Sequence, residues 1–136
     1  MPCFVQDTYV KGKGSLNARL LGVLRVAHLE DSPHVNAGEL LRWLAESFLI
    51  PTVFLPNEML EWTPIASDPN KARLTITDPL DPKHPVSLTI TFDAETGMPV
   101  SAMGLRAKAT GDEFGIGGFS YTRWQGNFEE YKNVDG

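Results

Sequence analysis

Three histidines, one cysteine and scattered carboxylates are the residues of this 136-residue chain whose types could do chemistry, and their spacing decides which chemistry is open. A metal site needs His, Cys, Asp or Glu converging at ligand spacing. His28, His34 and His84 share no helix and show no such spacing, so the sequence calls for no metal and no cofactor. Cys3 stands alone, which excludes an internal disulfide framework and a multi-cysteine centre. His28 extends the apolar side of a strand-like run and reads as a hydrogen-bonded structural histidine. His84, in a Pro-rich loop, reads as solvated. Phosphate loops fail on context: the runs 12–15 (GKGS) and 115–120 (GIGGFS) open into strand-like sequence, without the helix N-terminus whose amides would hold a phosphate. There is no GxSxG elbow, and Asp93 and Glu95 sit in a turn sequence. What remains is a polar site that only tertiary structure would assemble, Glu46 or Glu61 with Arg106, and His28 as a further member. An enzyme built on it needs a carboxylate whose pKa is shifted by burial or a partner.

Aromatic residues are the stronger signal. Trp43, Phe48, Phe54, Trp62, Phe119, Tyr121, Trp124, Phe128 and Tyr131 flank the helical segment and the last strands. Most are expected to pack helix against sheet. If a curved sheet closes incompletely over the helix, an apolar cavity results, the usual setting for a hydrophobic ligand. Trp43, Phe48, Phe54, Trp62 and Met103 are then its candidate lining.

These residues must be positioned by one helix and a set of strands. Asn36 and Glu39 have capping-box spacing, predicting a helix over about 37–50 that Pro51 ends. Ala37, Leu41, Leu44, Ala45 and Phe48 form its apolar stripe, with Trp43 at the boundary and half-buried. Glu39, Arg42 and Glu46 fall opposite and read as a solvated charge ladder rather than acid–base machinery. Residues 15–28 read as a long strand or kinked hairpin bending at Gly22. Ala72, Leu74 and Ile76 alternate with Arg73, Thr75 and Thr77, and Val86, Leu88, Ile90 and Phe92 with Ser87, Thr89 and Thr91: two strands with one wet face each. The Asp-Pro steps between them require a loop, and Asp93–Gly97 a tight hairpin connection. In 98–109 the apolar phase switches from Val100 and Ala102 to Met103, Leu105 and Ala107, which predicts a β-bulge near Gly104. A flexible loop over 111–118 and two more strands, separated at Gln125-Gly126, complete a meander.

The fold class that follows is α+β: a curved antiparallel meander, an incomplete half-barrel, on one principal helix. Its length is that of a single domain over 1–136 with room for one core. A net charge of −5 without a basic stripe argues against a nucleic-acid partner. No apolar run reaches the roughly 20 residues of a membrane span, and no signal-peptide pattern opens the chain, so it reads as cytoplasmic. The turn signal Asp135-Gly136 has no strand after it, the pattern of a chain that stops short at its C-terminus. The sheet edge left open would pair with a second copy or another chain.

In order along the chain, DTYVKGKGSLNARLLG, GELLRWLAESFLIPTVFLP, LEWTPI, FDAETGMPVSAMGLRAKA and YTRWQGNFEEYKNVDG resemble an uncharacterised, mainly bacterial family whose function is unknown. The shared features are the helix motif Arg42-Trp43-Leu44-Ala45-Glu46, a Pro-containing segment and a Trp-x-Pro-Ile step at Trp62. The family resembles in fold the lipoprotein carriers of the bacterial envelope, which implies a curved sheet wrapped around an apolar cavity; this chain departs from its relatives by ending sooner. The function expected is non-enzymatic binding of a hydrophobic or amphiphilic ligand, with an enzyme at the Glu46–Arg106 site or an edge-pairing interaction module as alternatives.

Overall fold

Ser32, rather than Asn36, starts the helix. In the structure, a computed structural model that describes residues 2–109 and 119–133, helix α1 spans Pro33–Glu46. The Ser32 hydroxyl accepts from the Val35 amide at 3.3 Å, and Pro33 occupies a first-turn position where a missing N–H is harmless. Asn36 is one turn inside and buried; its Oδ1 accepts the Gly14 amide at 2.7 Å. The capping-box reading thus mistook an inter-element anchor for a cap. The helix also stops before Pro51: Ser47, whose hydroxyl donates to the Trp43 carbonyl at 2.8 Å, is its C-cap, and the chain then tightens into 3₁₀ geometry. Two 3₁₀ turns, Ser47–Leu49 and Pro51–Phe54, follow.

The expected meander is divided by the helix into two antiparallel sheets, neither closed on itself. The first is β1 (Cys3–Val10), β2 (Lys13–Leu20) and β3 (Leu24–Glu30) in sequence order. Lys11 and Gly12 (φ 53° and 79°) turn β1 into β2, and Leu21 and Gly22 (φ 54° and 77°) turn β2 into β3. Residues 15–28 are therefore the kinked hairpin, with a bulge at Ala18/Arg19. Cys3 is in β1 and exposed.

The second sheet runs β4 (Leu60–Pro64), β5 (Lys71–Ile76), β6 (Val86–Phe92), β7 (Pro99–Ala109) and β8 (Phe119–Asn127), again in sequence order. Period-two alternation places Leu74, Ile76, Leu88 and Ile90, all fully buried, with Ala102 against Leu40, Leu41 and Leu44 of α1. Between β6 and β7 the Asp93 carboxylate accepts from Thr96 N–H, Thr96 Oγ1 and Glu95 N–H, and these bonds hold its pKa below the usual value. Gly97 (φ 70°) completes that turn.

Gly104 is not a bulge. The β7–β8 register continues through it unbroken, and the β6–β7 irregularity lies at Thr91/Phe92. A Cβ at Gly104 would sit 2.8 Å from Leu88 Cδ2 and 3.3 Å from Leu41 Cδ1, so glycine lets β7 lie flat on the core. β8 likewise runs through Gln125-Gly126 instead of breaking there, and 128–133 is not a strand, although Phe128 N–H reaches Val100 O at 3.0 Å. The expected flexible loop at 111–118 and the turn at Asp135-Gly136 lie outside the described residues.

With the first sheet on its other side, α1 is covered twice. This leaves only part of the expected solvated ladder: the Arg42–Glu46 pair is on the surface, but Glu39 is only 7% exposed and Arg42 also bridges to Asp7 of β1. The first sheet is also tied to the loop before β6, where buried Asp78 accepts the Tyr9 hydroxyl at 2.8 Å and the Leu80 amide at 2.7 Å.

Candidate ligand-binding cleft

A difference in strand length creates a large concavity. β6 begins at Val86, but its pairing with β7 begins only at Thr89↔Met103; β7 and β8 meanwhile stay paired as far as Ala109↔Phe119. The long β7–β8 ribbon therefore runs on past the start of β6. A cleft of about 860 Å³ opens among the ribbon, the start of β6 with the preceding Lys83-His84-Pro85, Arg73 of β5, and the first turns of α1.

Its surface is mixed. Met103, Leu105, Val86 and Ala37 contribute apolar area, and Ser87, Thr89 and Tyr121 contribute hydroxyls. Arg73, Lys83 and Arg123 contribute donors and positive charge, His34 and His84 contribute ring nitrogens, and no carboxylate lines it among the described residues. His34 is fixed by its neighbours: its ring stacks on Phe119 with centroids 4.5 Å apart, and its Nδ1 lies 3.3 Å from the Tyr121 hydroxyl. His84 Nδ1 is 2.7 Å from Asp81 Oδ1, which orients the ring. Because a carboxylate only accepts, Nδ1–H is the donor, leaving Nε2 as the other polar atom.

Of the five candidate lining residues, Met103 borders this cleft. Phe48, Phe54 and Trp62 instead form an aromatic chain with Phe128 and Phe92, with neighbouring centroids 4.6–6.2 Å apart. Phe48, Phe54, Phe92 and Phe128 pack on the core, while Trp62 is 40% exposed. Trp43 is 42% exposed, as its boundary position on the helix predicts.

A second cavity, of about 340 Å³, does bring Glu46 and Arg106 together, with Asp7, Arg42 and Trp124. Glu46 is exposed there and its Oε1 accepts from Arg42 Nε at 2.8 Å. His28 is elsewhere, on β3, with Nδ1 2.6 Å from Asn17 Oδ1 and Nε2 3.3 Å from Glu30. The carboxyl whose pKa is displaced upward is Glu39, raised by burial and partly held back by the positive charge of Arg106. Glu39 and Arg106 both border a further cavity between the first sheet and the β7–β8 ribbon.

Sequence reasoning missed the five basic side chains of the first cleft. They come from β5, the loop before β6, β8 and α1, and nothing in their spacing relates them. The available signal was that Arg73 sits on the wet face of a strand already legible as one.

Among the described residues no group of three or more His, Cys, Asp or Glu could hold a metal ion, and no helix is long and apolar enough to cross a membrane. Neither a curated protein nor a solved structure matches the chain. The family expectation is met: the model of DUF6920, a family of unknown function, matches residues 1–136, and the chain belongs to that family.

Proposed function

We propose that the protein binds an amphiphilic small molecule, without chemical transformation, in the cleft between α1 and the β7–β8 ribbon. The observation that carries this reading is a concavity of about 860 Å³ in which Met103, Leu105 and Val86 adjoin fixed polar side chains. Ligand sites typically occupy about 300–1,000 Å³ and combine an apolar lining with a few polar groups that orient the ligand. The apolar surface supplies affinity through removal of hydrocarbon from water, about 25 cal/mol per Å². The hydroxyls and basic groups orient the polar end. The site thus differs from the one expected from the aromatics, sharing Met103 but replacing the aromatic lining with aliphatic side chains and cations.

The test uses an uncharged ligand, a fluorescently labelled monoacylglycerol, with native mass spectrometry of gently purified protein alongside. Saturable uptake is expected, and Met103→Ser should weaken it by about threefold to tenfold through lost apolar contact. Ligand-free preparations combined with absence of uptake would sink the proposal.

A further inference from the structure

We infer that the cleft recognises an anionic head, a carboxylate or a phosphate, on its ligand; the inference rests on the amphiphile reading above. The charge distribution carries it. The protein has 17 Asp and Glu against 12 Lys and Arg, yet the described lining takes three of the Lys and Arg, two of the three histidines and none of the acids. Asp112, Glu113 and Asp135 lie outside the described residues, so a cleft drawn evenly from the rest would hold about as many carboxylates as basic groups rather than none. The register arranges these cations around the apolar strip. Arg73 lies in one cross-strand row with Thr89 and Met103, and Arg123 pairs with Leu105 at the next outward-facing position of β7. Arg73 and Arg123 therefore flank Met103 and Leu105 from opposite strands, with Lys83 on the loop at the mouth.

Among the described residues, Arg73, Lys83 and Arg123 form no ion pair, whereas Lys13, Arg42 and Lys71 each do. Their donors have no carboxylate partner among the described residues, and a carboxylate or phosphate matches the guanidinium fork geometrically. Two further features have the same sign: α1 presents its N-terminal end to the cleft through Pro33 and His34, and no acidic residue in its first turn offsets the dipole. A cationic or neutral head would leave these groups unpaired.

The experiment titrates the full chain with oleate, dodecyl phosphate, oleyl alcohol and inorganic phosphate, each below its micellar concentration, by competition against the labelled monoacylglycerol. Oleate or dodecyl phosphate should bind at least about tenfold more tightly than oleyl alcohol, with the preference weakening in high salt. The double variant Arg73→Gln/Arg123→Gln should abolish most of that preference, with an unchanged circular-dichroism spectrum and denaturation midpoint verifying its folding. The two anionic arms separate carboxylate from phosphate recognition. Equal affinity for alcohol and anions, unchanged in the double variant, overturns the head-group inference while the amphiphile reading stands. Inorganic phosphate competing as well as dodecyl phosphate supports anion recognition and overturns the amphiphile reading. Failure of every compound overturns both.

Discussion

Glu39 lies on the side of α1 that the first sheet covers, and removing its carboxyl from water favours the protonated form. Arg106 opposes the shift without cancelling it, so its pKa stays above the ordinary 4.5. The linkage sign follows. The folded protein holds this proton more tightly than the unfolded chain, so the contribution to stability is fully present below the ordinary glutamate value and declines as pH rises through the raised one. Glu39→Gln removes that decline. Denaturant titrations at pH 4 and pH 7 should show the variant gaining on the wild type at the higher pH; a difference independent of pH would contradict the assignment. Asn36 shows the same principle in neutral form. A side chain that fits a helix-capping motif in the sequence was recruited instead to satisfy the buried amide of Gly14. Local motifs name what a side chain is able to bond, and the neighbouring element decides what it does bond.

Strand β7 makes the argument at the scale of an element. Its change of apolar phase is real, but the strand does not slip register at Gly104. One face of β7, with Ala102, enters the core; the other, with Met103 and Leu105, faces the cleft. Both faces are used, and Gly104 provides the room, with Leu88, Leu41 and the Ser87 carbonyl all close to where a Cβ would stand. Gly104→Ala should therefore lower stability by about 1–3 kcal/mol, read from the denaturation midpoint at unchanged slope. A neutral substitution would show that β7 can shift without cost. Strands β5 and β6 were legible from period two alone, because each has one dry face, and the Asp93–Gly97 connection from its turn chemistry. The break expected at Gln125-Gly126 was not realised: β8 follows β7 for nine consecutive pairs. Pairing overrides a single glycine's weak preference for a turn.

For the whole molecule, the decisive arrangement is that α1 lies between two sheets held in place by a few cross-links. Tyr9 of β1 donates to Asp78 in the loop before β6, and burial and that acceptor together raise the tyrosine's pKa above its ordinary value of 10.0. A raised tyrosine pKa stabilises the fold below about pH 10, and the contribution is lost as pH climbs toward the raised value. Tyr9→Phe should lower stability by about 0.5–1.5 kcal/mol at neutral pH, with the deficit shrinking above pH 10. A constant deficit across that range would show that the phenol's packing matters rather than its proton. The same cross-link sits on the segment that leads through Lys83 and His84 to the mouth of the cleft, so the position of the first sheet bears on the geometry of the site. The α+β class, the principal helix, the Asp93–Gly97 turn and the alternating strands of the second sheet were legible in the sequence, since apolar periodicity, turn conformation and side-chain alternation act over a few residues. Packing between distant elements alone covers the helix on both sides, sets Phe48, Phe54 and Trp62 in a tilted and edge-on aromatic chain, and gathers basic residues from four separate segments around Met103. Burial and charge convergence depend on which elements pack together, and contacts between residues far apart in the chain leave no period in it.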